Sequence, residues 1–418
     1  MSRRLIQLVV INLVIFAVLA EVLGLFLYYV DTGHLFYTHT AAPEAIEETA
    51  RGELTGDALH PYFGPIHRPG IRPETNNIGF GSPHKFPFER ANARQLLVGV
   101  FGGSVARQFC DRGQKRLFER FAGAGGLAGR EPVLLCFAHE GYKQPQQLLI
   151  LSYFLSLGQQ LDLAINIDGF NEVALGSYNA DRGRDISMPS PIHLDPLINL
   201  VDQATMTPAK IESLADISRY KRRLNELAQT LAGNRFAAVD FVLRRYYLRT
   251  RNQYEAELAR FETLPSNPPT ASLIQVTPAV KARDERSLYP DIAAGWTQAS
   301  LLMNDLLTAR GVPYVHVLQP NQYYTARTFG EDEARVARNE ATSFKPPVER
   351  GYPVLEQAAA RLTGKERFVN ALAIFDTEPA AVYADDCCHY TDRGYEILAE
   401  TIATTAIEAI TAARSSVR

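Results

Sequence analysis

The sequence predicts an α/β fold, a three-layer α/β/α sandwich around a parallel central sheet, with one N-terminal transmembrane helix and a helical insertion. Three observations carry this. Short apolar runs recur along the chain and stop at turn-forming residues. Segments of helical period lie between those runs, and this alternation is the pattern of a parallel sheet covered on both faces. The first thirty residues hold an apolar stretch longer than a soluble domain needs for any single element.

That stretch comes first. Met1 to Arg4 is short and basic, and Leu5 to Val30 is a 26-residue run whose only polar side chains are Gln7, Asn12 and Glu21. A bilayer core needs about 20 apolar residues in a helix, so Leu5–Val30 can span with some tilt. Arg3 and Arg4 precede the run, while Asp31, Glu44, Glu47 and Glu48 follow it. The positive-inside rule then puts the N-terminus in the cytoplasm and the body outside. Val18-Leu19-Ala20 offers a small-residue cleavage pattern, but the run continues ten residues past Ala20. An uncleaved signal anchor is therefore expected in preference to a cleaved signal peptide. Glu21 is costly in a span unless it snorkels, pairs or lies near an interface, and it marks a candidate contact with a partner helix. The expectation is a single-pass protein of the inner (cytoplasmic) membrane with a periplasmic or otherwise extracytoplasmic body.

Composition narrows the function class. The 418 residues are 46% hydrophobic and 21% charged, which excludes wholesale disorder. With 43 Lys+Arg against 46 Asp+Glu, the net charge of −3 lacks the basic footprint of a general nucleic-acid binder. The mean hydropathy of −0.13 averages an apolar span with a water-facing body. Arg3, Arg4 and Glu21 are the only charged residues of the first thirty, so the body is one unit more negative than the whole chain.

Residues 31–94 are rich in Gly, Pro, His and Asn and read as a juxtamembrane linker and lead-in of loops and short strands. From residue 95 to 418 a single catalytic domain is expected. Its strands are Gln95–Phe101, Pro132–Phe137, Leu161–Ile167, Pro313–Leu318 and a segment within Phe368–Phe375. Its helices are Gln144–Leu157, Leu288–Ala309, Pro353–Thr363 and Gly394–Ala413. Residues 178–287 interrupt the alternation. There Ile211, Leu214, Ile217, Tyr220, Leu224, Leu227 and Leu231 recur at helical spacing, and Ala237–Phe261 continues as helix. Pro208–Glu262 carries eleven Lys+Arg and seven Asp+Glu, which suits a solvated helix face or a cap for anionic glycan or lipid headgroups. The region reads as an insertion into the catalytic domain, not as a separate domain.

The four cysteines are Cys110, Cys136, Cys387 and Cys388. An oxidising compartment permits a disulfide from Cys387 or Cys388 to Cys110, and four free thiols are the alternative. No CxxC or Cys/His spacing suggests a structural zinc site.

The chemistry is concentrated in four short blocks. Gly102-Gly103-Ser104 follows the first strand, where glycines permit a sharp turn and Ser104 falls at the C-terminal edge of the sheet. His139-Glu140-Gly141-Tyr142 follows the second strand, and Asp168-Gly169-Phe170-Asn171-Glu172 the third. Asp386-Cys387-Cys388-His389 stands before the last helix, with Asp and His three apart, so the carboxylate can hold one imidazole nitrogen and leave the other as a base. Ser104 N–H, Gly141 N–H and the Asn171 amide are three candidate donors to a developing oxyanion. His139 is a candidate pocket residue, and His316, in the fourth strand, reads as a core or edge histidine.

These blocks resemble the SGNH hydrolase superfamily, the GDSL-like esterases and lipases, in its membrane-anchored bacterial form. The family's Ser, Gly, Asn and His fall in this order on Ser104, Gly141, Asn171 and His389, with Asp386 as the aspartate of Asp-x-x-His. Gly-Gly-Ser-Val replaces the usual Gly-Asp-Ser-Leu, and Glu172 stands where the third block has its final Asp. The resemblance implies a flavodoxin-like sandwich and a serine esterase. Ser104 would be the nucleophile, His389 the base and Asp386 its orienting partner, with Asp385 as the alternative aspartate. Ser104, Gly141 and Asn171 would form the oxyanion hole. Neither a cofactor nor a catalytic metal is expected, since these residues supply nucleophile, base and donors. The expected substrate is an O-acyl or O-acetyl ester on a small molecule, an envelope glycan or a lipid. An O-acyltransferase of exopolysaccharide or envelope modification would use the same residues, and a non-catalytic glycan-binding assembly protein is the third class.

Overall fold

The structure is a computed structural model that describes residues 3–37, 56–70, 74–268 and 271–415. Glu44, Glu47 and Glu48, invoked for the orientation of the anchor, lie outside the described residues, as do residues 38–55 and 71–73 of the linker and lead-in.

The chain opens with α1 (Arg3–Thr32) and a two-stranded antiparallel hairpin, β1 (Asp57–His60) and β2 (Gly64–His67). Then follow β3 (Gln95–Gly102), α2 (Ser104–Arg112), α3 (Gln114–Ala122), β4 (Glu131–Cys136), α4 (Gln146–Ser156), β5 (Leu163–Asp168) and α5 (Phe170–Asp181). The middle of the chain is helical: α6 (Pro191–Val201), α7 (Pro208–Gly233), α8 (Ala237–Thr263) and α9 (Glu285–Thr308). The rest is β6 (Tyr314–Leu318), α10 (Glu331–Ala337), α11 (Lys345–Ala359), β7 (Arg367–Asn370) and α12 (Asp392–Ser415).

Two compact units emerge. One combines residues 57–200 and 275–418, the other residues 1–56 and 201–274. The lead-in from Asp57 therefore belongs with the sheet, because Phe63, Phe80 and Phe86 are buried in the same cluster as Phe137 and Phe154. The inserted part is 201–274 rather than 178–287, and it forms a unit with the N-terminal segment instead of a cap within one domain. Helical spacing revealed its helices but not the element they pack against.

The larger unit is built on five parallel strands in the order β4-β3-β5-β6-β7. All five expected strands are present, the last confined to its first residues. β3 alternates cleanly: Leu96, Val98 and Val100 face one cluster, Leu97 and Phe101 the other. The first face is covered by α2 and α12, through residues such as Val105, Phe109, Leu398 and Ile402. The second is covered by α4 and α9, through Ile150, Phe154, Met303 and Leu307. Burial on both faces explains why these strands read as continuous apolar runs. β3 sits between β4 and β5, so the chain winds outward from it in both directions. The carboxyl ends of β3 and β5 thus border the topological switch point, where open α/β sheets bind ligands.

Cys110 of α2 is bonded to Cys136 of β4, and Cys387 and Cys388 are free. This corrects the expected pairing of Cys110 with the C-terminal block. Their Cα atoms are 6.1 Å apart, a separation that a disulfide bridges, because α2 folds back beside the strand next to its own.

In the smaller unit, α7 and α8 form a helical hairpin around Leu224, Leu227, Ala228, Leu231 and Tyr247. α1 is long and apolar enough to cross a membrane, with residues 4–31 at a mean hydropathy of up to 2.7. Glu21 does find a partner helix. Its carboxylate accepts the backbone N–H groups of Ala237 (2.7 Å) and Ala238 (3.2 Å) and the hydroxyl of Tyr37 (2.8 Å). Those amides belong to the first turn of α8, which has no intrahelical acceptors, so the acid serves as a tertiary cap. Gly24 makes this contact possible, since a Cβ there would lie 2.3 Å from Ala238 N.

Candidate active site

Ser104 is the first residue of α2, presented by two glycines that nothing larger replaces. Gly102 has φ +137°, and a Cβ on it would lie 2.1 Å from the Ile167 carbonyl of β5. A Cβ on Gly103 would lie 2.1 Å from Asn171 Nδ2. The first intrahelical bond, Arg107 N–H to Gly103 O at 2.9 Å, leaves the Ser104 N–H without a helical acceptor.

His389 reaches Ser104 from the loop before α12. His389 Nε2 is 2.7 Å from Ser104 Oγ, and His389 Nδ1 is 2.5 Å from Asp385 Oδ2. The expected Asp386 is not the partner; its Oδ2 instead accepts the Asn339 side-chain amide at 2.7 Å. The cause is local. The loop wraps around the Asp385 carboxylate, whose Oδ1 accepts the backbone N–H groups of Cys387 (2.9 Å), Cys388 (3.0 Å) and His389 (3.2 Å). That turn points residue 385 inward and residue 386 away. Burial pushes the Asp385 carboxyl up, but the bond and charge of His389 and these backbone donors outweigh it and hold it well below the usual carboxylate range. From the loop after β6, Asn321 and Gln322 bind the Cys387 and Asp385 carbonyls, and the Tyr323 hydroxyl binds that of Asp386.

Asn171 lies in the first turn of α5, buried, with Nδ2 donating to the Tyr142 carbonyl at 2.8 Å and close to Gly103. Gly141 precedes Tyr142 in the loop after β4, with φ +74° and the His193 ring where a Cβ would be. Three of the four blocks thus meet around Gly103. Glu172, noted only as a departure from a pattern, ties its own block to the segment just after the second: its carboxylate accepts Gln144 N–H (2.9 Å) and Gly169 N–H (2.8 Å). Burial, with the charge of Asp168, raises this carboxyl to about 7.

Behind the site, Asp168 binds Trp296 Nε1 at 2.7 Å and His316 Nε2 at 2.9 Å, and Glu366 lies 2.9 Å from His316 Nδ1. His316 is therefore a buried core histidine, as its strand position suggested, but an ion-paired one. Burial alone would lower it; the two carboxylates prevail and raise it to about 10. His139 is also buried and lies beside Asp57 and His67, with its backbone N–H donating to the Gly102 carbonyl at 3.3 Å. Nothing in the spacing of residues 57, 67 and 139 signals that proximity.

Among the described residues, two clusters bring three ligand-type atoms together: Cys387/Cys388/His389 and Asp57/His67/His139. In the first, both His389 nitrogens are already engaged by Asp385 and Ser104. The Cys388 thiol is buried and pushed well above its ordinary value, which disfavours the thiolate a metal needs.

No protein-family model matches the chain, and no curated protein matches it. Among solved structures, it is similar to the lipase Lip_vut3 from a goat rumen metagenome. The identity is 10% and the TM-score 0.31, over 75% of this chain and 98% of that one.

Proposed function

We propose that the protein is a membrane-anchored, extracytoplasmic serine esterase of SGNH type acting on O-acyl or O-acetyl esters. The observation that carries this reading is the continuous chain Ser104 Oγ–His389 Nε2 (2.7 Å) and His389 Nδ1–Asp385 Oδ2 (2.5 Å) at the switch point of the sheet. In this mechanism Ser104 Oγ attacks the ester carbonyl while His389 takes its proton. Asp385 holds the imidazole in the tautomer that leaves Nε2 free and stabilises the imidazolium. Ser104 N–H, Asn171 Nδ2 and Gly141 N–H are the donors assigned to the oxyanion. His389 then protonates the departing alcohol, leaving an acyl-serine that water hydrolyses by the reverse sequence.

The anchor reading of α1 puts the catalytic unit on the extracytoplasmic side of the inner membrane, with a glycan or lipid ester as the natural substrate class. An acyltransferase shares every step up to the acyl-serine and differs only in the acceptor. The test is labelling by a fluorophosphonate probe, followed by hydrolysis of a p-nitrophenyl acetate panel. Wild type is expected to label and turn over, and Ser104→Ala to do neither while keeping its circular dichroism. Equal turnover by Ser104→Ala refutes the mechanism.

A further inference from the structure

The register of the β1–β2 hairpin sets Asp57 directly opposite His67, so both side chains emerge on one face. That face meets His139, in the loop after β4. Asp57 Oδ1 lies 2.8 Å from His67 Nδ1 and 3.9 Å from His139 Nε2, and the three residues each offer one ligand atom within 4.8 Å of the other two. His139 is 1% exposed, and its Nε2 has no hydrogen-bond partner among the described residues. A buried imidazole nitrogen aimed at a carboxylate and left unpaired is costly.

The other nitrogens face Glu140, whose Oε2 forms no hydrogen bond among the described residues. His67 Nε2 is 3.3 Å from Glu140 Oε2, and His139 Nδ1 is 3.0 Å from the Glu140 carbonyl and 3.6 Å from Glu140 Oε2. Glu140 thus orients both rings from behind, as second-sphere carboxylates do for metal-bound histidines. His139 Nε2 is the one fully buried imidazole nitrogen of this cluster that meets no hydrogen-bond partner among the described residues. One divalent ion among the three residues gives His139 Nε2 the partner it lacks. It takes the lone pairs of His67 Nδ1 and His139 Nε2, leaves their opposite N–H groups to Glu140, and balances two carboxylates.

We propose that Asp57, His67 and His139 form a zinc site, with Glu140 as its orienting partner and water in the fourth position. Two imidazoles and a carboxylate suit Zn²⁺, whose bonds of about 2.0–2.1 Å put tetrahedral ligand atoms ~3.3 Å apart. The separations of 2.8 and 3.9 Å bracket that value. The ion's role is to clip the hairpin to the loop that carries Gly141. Tyr142 reinforces the same junction, stacking on His139 and donating to the Pro65 carbonyl at 2.7 Å. The site stands independently of the esterase reading, and its test does not use ester turnover.

Full-length protein in detergent is stripped with a chelator and titrated calorimetrically with Zn²⁺ alone, then with Co²⁺ as a spectroscopic reporter. The expected result is one ion per chain, a raised Tm, and Co²⁺ bands of a tetrahedral nitrogen/oxygen site without thiolate charge transfer. His67→Ala is expected to abolish binding, and Glu140→Gln to weaken it about 10–100-fold. The wild-type Co²⁺ spectrum serves even where a variant fails to fold. Absence of binding, unchanged binding by His67→Ala, or a thiolate band assigning the ion to Cys387 and Cys388 each overturns the proposal.

Discussion

Asp385 and His389 are joined through Oδ2 and Nδ1 at 2.5 Å, while Asp386, one residue on, is bound to Asn339. The two aspartates are adjacent in sequence, yet a single turn of backbone gives them separate tasks. Asp385→Asn is expected to lower kcat about 10⁴-fold by presenting the wrong imidazole tautomer. Asp386→Asn should leave kcat within a small factor of wild type. Steady-state kinetics on one p-nitrophenyl ester decides it, and the reverse ranking would restore Asp386 as the partner.

The donors proposed for the oxyanion make a second test. Asn171→Ala is expected to lower kcat by ~10²–10³ with KM little changed, because the lost bond forms only as charge develops. Gly103→Ala should act on the same group from the other side, since its methyl would overlap Asn171 Nδ2. A large rise in KM with kcat intact would place Asn171 in ground-state binding instead.

The ion-paired His316 predicts a pH signature. Its ordinary value is about 6.5, and in the fold it rises to about 10 between Asp168 and Glu366, with burial opposing the shift. Below about pH 6.5 both folded and unfolded imidazoles are protonated, and the stabilisation is complete. As pH climbs towards 10, only the folded state keeps the proton, and the stabilisation is lost. The Tm gap between wild type and His316→Gln should be widest below pH 6.5 and close towards pH 10. A gap that widens with rising pH contradicts the assignment.

Glu21 offers a fourth test, at the contact between α1 and α8. Glu21→Leu would leave the Ala237 and Ala238 N–H groups unpaired, at a cost of about 1–3 kcal/mol each when buried. Glu21→Gln retains an acceptor. Hydrogen exchange in detergent should show faster exchange at these two amides in the leucine variant and near-normal exchange in the glutamine variant. Identical protection in all three proteins would mean that the carboxylate does not cap the helix.

Much of the fold is legible in one dimension. Runs such as Gln95–Phe101 and Leu161–Ile167 stand out because a parallel strand is buried on both faces. Ser104, Asn171 and His389 stand out in the sequence because each sits at a strand end or just before a helix, where short-range pattern is strong. The choice of Asp385 was not legible, since either carboxylate lies close enough to reach the imidazole and the turn between them is set by backbone donors. Nor was the disulfide, because Cys110–Cys136 depends on which strand lies beside β3.

What the sequence determined by itself is therefore the local and periodic part: strands, helices, an apolar N-terminal span, and four blocks at sheet edges. Only tertiary structure decided which distant residues become neighbours. It set Glu21 on the first turn of α8, Glu172 between two loops, Asp168 and Glu366 on either side of His316, and Asp57 and His67 against His139. Each is a buried or partly buried polar contact, and such contacts follow from chain crossings that leave no period in the sequence. Hydrophobic periodicity reports only that a face is covered; the charges that must find one another beneath that cover are paired by the fold.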